Sequence, residues 1–212
     1  DDGGNSVDCT MNVTVTDDEA PEVFCIGGPI AATETVSASP GLPFGTTAAT
    51  VTSVITITED FDITDLDVDL DIPHAWAGDV IVELTSPAGT TALLLNAPLN
   101  GTGSCAGSDI LVTLDDEATL PVDNECGAGT PSIAGTFTPS TALSAFDGES
   151  TMGDWTLAVT DNFTPFDDGV LESWALTYSY MATSTPPLEV FLDADGMAVV
   201  PSTAFVSSVT DN

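Results

Sequence analysis

The chain contains a single histidine, His74, which is the first residue to consider as a catalytic base. Nucleophilic hydrolysis needs a nucleophile, a base and an orienting acid. Ser86 and Asp79 lie near His74 in the sequence, but Ser86 sits in Ser-Pro-Ala-Gly, which is no nucleophile elbow. We therefore expect His74 to be a hydrogen-bonded structural residue, and the chain to be no enzyme.

Carboxylates are the most abundant charged groups. The 212 residues include 34 Asp and Glu and no Lys or Arg, which gives a formal net charge of −34. This charge argues against nucleic acid as a partner, because phosphate binding needs cationic side chains. The acidity has two interpretations: a solubilising acidic surface, or cation sites, since short loop carboxylates suit Ca²⁺.

Two groups of loop carboxylates could bind calcium. The first group lies at the start of one strand and in a later loop between two tryptophan-bearing strands: Asp79, Asp161, Asp167 and Asp168. The second and weaker group lies along one segment: Asp115, Asp116, Glu117 and Asp123. Loop carboxylates and backbone carbonyls together give flexible, oxygen-rich coordination. The alternative for both groups is an acidic turn with solvated carboxylates.

The cysteines indicate disulfide bonds. There are four, at positions 9, 25, 105 and 126, with no CxxC pair, and one histidine is too few for a usual zinc site. An even number of cysteines in a β-rich chain suggests an oxidising compartment. Three connectivities are possible. We favour Cys105–Cys126, which bracket one loop; Cys9 and Cys25 then pair with each other or with another module.

The elements that must position these residues are short strands. Val, Ile and Thr are abundant, and Gly and Pro interrupt them often. The segment ITDLDVDLDI alternates apolar and acidic residues with one phase slip near Asp65, so one face is core and the other a row of carboxylates. About eight such strands at sandwich spacing predict an all-β, antiparallel jelly-roll β-sandwich. No apolar stretch reaches the roughly 18 residues of a membrane span, so we expect no direct membrane insertion.

Composition divides the chain into five segments. Residues 45–181 hold the main domain, between linkers at 25–44 and 182–187 that are rich in small residues and proline. Residues 1–24 contain one alternating strand, and residues 188–212 contain, over positions 188–200, two short apolar runs around Asp193-Ala194-Asp195-Gly196, a hairpin signal. Neither end can form a core alone. We expect these end segments to be completed by neighbouring modules or by copies of the same chain, through their terminal strands.

The main domain resembles the P/Homo B domain, the jelly roll that follows the catalytic domain of proprotein convertases. The resemblance is carried by IPHAWAGDVIVELTSPAGTTALLL and by the closing pattern GDWTLAVTDNFTPFDDGVLESWALTYSY. It implies that His74 is structural and that calcium binds at the acidic loops. The ends carry DDGGNSVDCTMNVTVTDDEAP and LEVFLDADGMAVVPSTAFVSSVTDN. The first resembles the end and the second the front half of a hyalin repeat, an immunoglobulin-like module of large bacterial surface proteins such as Bacteroidota adhesins.

These observations favour a secreted, non-catalytic structural or adhesive module, a unit of a surface stalk, adhesin or filament that calcium and disulfide stabilise. One alternative is an accessory P-domain of a secreted protease. Another is a carbohydrate-binding module that stacks a surface glycan on Trp76, which lies in a loop. Trp155 and Trp174 fall in phase with strand leucines, and we expect both in the core.

Overall fold

Alternating apolar and polar residues build the strands of a β-sandwich. The computed structural model describes residues 29–46, 48–99 and 103–182. These residues contain eleven strands: β1 (Ile30–Ala38), β2 (Leu42–Gly45), β3 (Thr50–Ile57), β4 (Ile63–Ile72), β5 (Val80–Thr85), β6 (Thr91–Asn96), β7 (Ile110–Leu114), β8 (Ile133–Phe137), β9 (Gly153–Asp161), β10 (Asp168–Leu171) and β11 (Ser173–Ala182). Three single-turn 3₁₀ helices lie between them: Ala77–Asp79, Val122–Asn124 and Leu143–Phe146. The predicted all-β fold class is confirmed.

The strands form a five-stranded sheet in the order β1-β11-β4-β7-β8, a four-stranded sheet in the order β3-β9-β5-β6, and a two-stranded ribbon of β2 and β10. The first three strands pair with the last three: β1 with β11, β2 with β10 and β3 with β9. One pairing departs from the predicted antiparallel arrangement. Strands β7 and β8 run parallel, which the long connection of residues 115–132 permits, because a parallel pair needs a crossover.

Strand β4 shows how the sequence pattern becomes a sheet with two different faces. Its apolar side chains are buried: Ile63, Leu66, Val68, Leu70 and Ile72. Its aspartates point to the other face and are partly exposed: Asp65, Asp67, Asp69 and Asp71. Ser179 pairs with Asp65 and Tyr180 with Ile63, so Thr64 is an extra residue in the ladder. This bulge is the phase slip that the sequence predicted, because one inserted residue reverses the alternation.

The core lies between the sheets and is built on large aromatic side chains. The largest fully buried ones are Trp155, Trp174, Tyr178, Phe44 and Phe146, each contributing about 1.5–3 kcal/mol or more by burial. The indole of Trp155 donates a hydrogen bond to the Thr151 carbonyl at 2.9 Å, and its ring meets Phe146 edge to face. The expected core positions of Trp155 and Trp174 are confirmed.

The sandwich begins earlier than predicted. Residues 25–44, interpreted as a linker, contain β1 and most of β2, and β1 pairs with β11 over its whole length. The reason is that β1 is an edge strand of small residues, IAATETVSA, in which only Ala32, Val36 and Ala38 are partly buried. Both Tyr178 and Tyr180 donate hydrogen bonds to Glu34, which fixes β1 to the sheet.

The predicted end modules, residues 1–24 and 188–212, lie outside the described residues, as do Cys9 and Cys25. The linker predicted at 182–187 lies outside them too, except for Ala182, the last residue of β11. Within the described part of the chain, no helix has the length and apolar character that crossing a membrane requires.

Candidate metal centre

Three chain segments meet at one end of the sandwich and bring His74 and two aspartates together. His74 lies in the loop after β4 and forms an isolated bridge with Gly169 of β10. Asp161 is the last residue of β9, and Asp167 immediately precedes β10. The Asn162 amide donates to the Asp79 carbonyl at 2.8 Å, which joins the β9–β10 loop to the start of β5.

The three side chains converge on a small buried space. The Nε2 atom of His74 lies 3.7 Å from Oδ2 of Asp161, and neither side chain is exposed. Asp167 completes a group in which one potential ligand atom of each residue lies within 4.8 Å of the others. His74 Nε2, Asp161 Oδ2 and Asp167 Oδ1 are buried without any hydrogen-bond partner. Buried polar atoms are normally satisfied, so this arrangement is suited to a bound cation.

The imidazole of His74 is held on several sides. Its Nδ1 atom lies 2.9 Å from the Trp76 carbonyl oxygen and 3.1 Å from the Trp76 amide nitrogen. Its ring stacks on Phe44 at a centroid distance of 5.3 Å. The His74 amide donates to Oδ1 of Asp109, whose own amide donates to the His74 carbonyl. These contacts fix Nε2 toward the two carboxylates.

Two glycines let the backbone approach the site. Gly45 has φ of +100°, and a Cβ there would lie 3.0 Å from Oδ2 of Asp161 and 2.4 Å from the Asp167 carbonyl oxygen. A Cβ on Gly169 would lie 2.2 Å from Cδ2 of His74. Any side chain at either position would therefore occupy the space around the site.

Asp79 and Asp168, the other members of the first predicted group, have different surroundings. Burial raises the pKa of Asp79, and the nearby charges of Asp167 and Asp161 raise it further, so Asp79 lies within electrostatic reach of the centre. The Asp168 carboxylate instead accepts hydrogen bonds from the amide and hydroxyl of Thr46, which lower its pKa.

The second predicted group is spread over separate hydrogen bonds. Asp116 accepts from the Leu143 and Ser144 amides at the start of a 3₁₀ turn. Asp123 accepts from the Asn96 amide and the Ser140 hydroxyl. Asp115 accepts from the Glu117 amide. Within the described residues, the candidate ligand group of three that emerges is the one around His74.

Calcium fits this centre only in part. The buried oxygens of Asp161 and Asp167 suit any divalent cation, but Ca²⁺ takes six to eight oxygen ligands, whereas the third atom here is an imidazole nitrogen. Calcium therefore stays a prediction. His74 is the member of this candidate group that the sequence does not indicate, because one histidine among so few His and Cys residues argues against a usual zinc site. A mixed His and carboxylate set needs only one histidine, and His74 lies between two acidic segments.

Aromatic side chains are exposed near the same loops. Trp76 is 42% exposed and donates from Nε1 to the Ser104 hydroxyl at 3.3 Å. Phe163 and Phe166 are also exposed, with ring centroids 5.3 Å apart in the loop after Asp161. The expected loop position of Trp76 is confirmed, and its contact with a glycan remains a prediction.

The predicted disulfide Cys105–Cys126 is present, with Cα atoms 5.5 Å apart. It ties the segment after β6 to the long connection between β7 and β8. The Gly78 amide donates to the Cys105 carbonyl, so the disulfide also supports the turn that precedes Asp79.

Comparisons with known proteins found solved structures and one protein family to which this chain is similar. The serine protease of Aeromonas sobria in complex with the chaperone is 18% identical over 73% of this chain and 28% of that chain, with a TM-score of 0.47. The same protease alone gives 18% identity over 72% and 27%, with a TM-score of 0.43. This chain thus spans less than a third of those proteins. No curated protein matched. The family model of the proprotein convertase P-domain matches residues 63–178, more than half of the sequence, and the chain therefore belongs to the proprotein convertase P-domain family.

Proposed function

We propose that the chain is a non-catalytic accessory module of a secreted protein, and that a divalent cation at Asp161 and Asp167 stabilises it. The observation that carries this proposal is the environment of the single histidine. The Nε2 atom of His74 faces two carboxylates, and within the described residues it has no hydrogen-bond partner that could be a nucleophile. A triad histidine instead needs a nucleophile on that nitrogen.

The burial of His74 also supports a non-catalytic role. Its exposed fraction is 2%, and Phe44 and Gly169 cover the ring. A general base must come within hydrogen-bond reach of the proton it removes from a substrate, and a ring enclosed in this way is not placed to do so.

Family membership and the disulfide support the extracellular accessory role. A P-domain is a companion of secreted proteases, and a disulfide is typical of an oxidising compartment. We infer that the module stabilises or positions a neighbouring domain. The stalk, adhesin or filament version of this role depends on residues 1–24 and 188–212, and it is tested by light scattering and electron microscopy of the whole chain.

The stabilising cation is tested by thermal unfolding of the whole chain after chelation and then with added Ca²⁺ or Zn²⁺. A cation that binds only the folded state adds about 2.7 kcal/mol at a hundredfold excess over Kd. We expect a higher Tm with cation, and loss of that gain in Asp161→Asn. Asp71→Asn, on an outward-facing position of β4, is the matched control and should keep the gain. Equal Tm values in all conditions would contradict the stabilising role.

The non-catalytic role is tested with peptide and glycoside substrates. The whole chain should show no turnover above buffer. Turnover that His74→Ala abolished would overturn the proposal, because it would place His74 in a catalytic centre.

A second candidate function is glycan binding, which the exposed aromatics near the centre favour. Trp76, Phe163 and Phe166 offer apolar faces to solvent at this end of the molecule, and aromatic faces suit the apolar faces of sugar rings. A glycan array should then show binding that Trp76→Ala abolishes. Met152→Ala removes an equally exposed apolar side chain elsewhere and should leave that binding unchanged.

A further inference from the structure

We propose that the centre binds a zinc-class divalent cation through His74 Nε2, Asp161 and Asp167, in preference to calcium. The inference rests on the proposed function, since it names the cation at the stabilising site. The proposed site differs in chemistry from an all-oxygen calcium site, because the imidazole of His74 is a ligand and not only a neighbour of the ligands.

The contacts of Nδ1 with Trp76 bear on which nitrogen of the His74 imidazole carries the proton. The Trp76 carbonyl can only accept a hydrogen from Nδ1, whereas the Trp76 amide can only donate one to it. Nδ1 lies 2.9 Å from the carbonyl oxygen and 3.1 Å from the amide nitrogen, and we assign the Nδ1 proton to the carbonyl contact. A proton on Nδ1 leaves Nε2 of a neutral ring with a free lone pair. Metal-binding histidines are commonly oriented in this way, by donating their other ring N–H to a backbone carbonyl.

The Nε2 atom of His74 faces the carboxylates of Asp161 and Asp167. It lies 3.7 Å from Oδ2 of Asp161, which is too long for a hydrogen bond. Asp167 Oδ1 lies in the same group and is equally without a partner. Three electron-pair donors that converge in a buried space repel one another unless a cation lies between them. A separation of 3.7 Å is close to that of two ligands around a cation with bonds of about 2.0–2.2 Å.

The carboxylates of Asp161 and Asp167 need a source of positive charge. The chain has no Lys or Arg, so no protein side chain other than a protonated His74 can neutralise Asp161 and Asp167. Asp79 adds a third carboxylate close by. The positive charge must therefore come from a proton, on His74 or on one of the carboxylates, or from a metal ion. Imidazole suits zinc and its first-row neighbours, whereas calcium takes oxygen.

Two carboxylates and one imidazole give three protein ligands, and zinc is normally four-coordinate. The remaining position would be taken by water or a further oxygen. Asp168 is excluded from the ligand set, because its carboxylate is directed to Thr46.

The experiment uses nitrogen-15 NMR on the whole, tag-free chain. His74 is the sole histidine, so its two ring nitrogens are the sole imidazole signals and need no variant for assignment. We expect Zn²⁺ to move the Nε2 resonance and to saturate at one equivalent, with excess Ca²⁺ present. An Nε2 atom that carries a proton and is unmoved by Zn²⁺ would overturn the proposal and identify a His74–Asp161 ion pair.

Variants separate the ligands from the other acids of the site. Asp167→Asn should weaken Zn²⁺ binding by more than the roughly tenfold to hundredfold that losing an outer-shell partner costs. Asp168→Asn removes the same charge one residue away but no proposed ligand, and should weaken Zn²⁺ binding far less than Asp167→Asn does. Near-ultraviolet circular dichroism checks that both variants keep the native fold. Equal weakening by both variants would overturn the assignment of ligands.

The outcomes distinguish this inference from the function on which it rests. A Tm raised by Ca²⁺, with His74 Nε2 unmoved by Zn²⁺, would overturn zinc-class coordination and keep the stabilising cation. A Tm and an Nε2 signal unaffected by either cation would overturn both proposals.

Discussion

The indole nitrogen of Trp174 lies 2.9 Å from the hydroxyl oxygen of Ser53 and donates a hydrogen bond to it. Trp174 belongs to β11 in the five-stranded sheet, and Ser53 belongs to β3 in the four-stranded sheet. The bond therefore crosses the core and joins the two layers. Both residues are buried, so water does not compete for the indole N–H.

Removing the Ser53 hydroxyl, which accepts this hydrogen bond, should lower the free energy of unfolding. Ser53→Ala leaves the indole N–H of Trp174 buried and unpaired, which costs about 1–3 kcal/mol of unfolding free energy. Thr52→Ala, on the exposed face of the same strand, is the control and should change stability by less than about 0.5 kcal/mol. Urea unfolding followed by tryptophan fluorescence measures both. Equal stability of Ser53→Ala and the parent protein would contradict the assigned bond.

The disulfide should contribute strongly to stability. Cys105 and Cys126 are separated by 21 positions, and closing a loop of that size is worth about 3 kcal/mol in the chain-entropy model. The double variant Cys105→Ala/Cys126→Ala should lose about that much, and a reducing agent should lower the Tm of the parent protein by more than the Tm of the variant, which keeps Cys9 and Cys25. Mass spectrometry of the unreduced protein showing free thiols at both positions would refute the pairing.

Asp67 should make the fold less stable as pH rises. Its pKa is raised to about 6, mainly by burial and then by the nearby charges of Asp65, Asp115, Glu117 and Asp69. The folded protein thus holds a proton that the unfolded chain has released, so this contribution is full below about pH 4 and is lost as pH rises through about 6.

Asp67→Asn, which mimics the protonated form, tests this pH dependence. It should stabilise the protein at pH 7.5 by about 1 kcal/mol after solvent screening, and by much less near pH 4. Asp71→Asn removes the same charge from the same face of β4, but at a position farther from Asp115 and Glu117. It should therefore stabilise the protein at pH 7.5 by less than Asp67→Asn does. A gain for Asp67→Asn that is equal at both pH values would count against the raised pKa.

Gly169 should not tolerate a side chain. A Cβ there would lie 2.2 Å from Cδ2 of His74 and 2.7 Å from Cζ of Phe44, and overpacking of this kind typically costs 1–3 kcal/mol. Gly169→Ala should lower the Tm and weaken cation binding, because it displaces the imidazole. Gly103→Ala is the control, since nothing lies within 4 Å of its added Cβ. Equal Tm values for the two variants would show that the ring moves aside freely.

Much of the sandwich follows from local pattern. The alternation of β4 predicts its buried and acidic faces, and even its bulge, because burial of one face makes strand phase visible in the sequence. Trp155 and Trp174 are predicted as core residues for the same reason. Cys105 and Cys126 are predictable because they bracket one segment and because an even number of cysteines favours pairing.

The remaining features depend on contacts between distant residues. Strand β1 consists of small residues at an edge, so its burial is too slight to produce a clear alternation. The parallel direction of β8 is invisible to periodicity, which carries no information about strand direction. The candidate metal centre combines His74 with Asp161 and Asp167, which lie far away along the chain, and only the pairing of β10 and the position of β9 bring them together.

The nested pairing of the first and last strands has a consequence for biosynthesis. β1, β2 and β3 find their partners only in β11, β10 and β9, so the first strands of this domain to be synthesised must wait for its last strands before either sheet can close. Such long-range pairing slows folding. A chain interrupted after β8 would leave β1, β2 and β3 without their partners and one edge each of β4 and β5 unpaired, and unpaired strand edges are prone to aggregate. We therefore expect this domain to mature after its synthesis is complete, rather than segment by segment as it emerges.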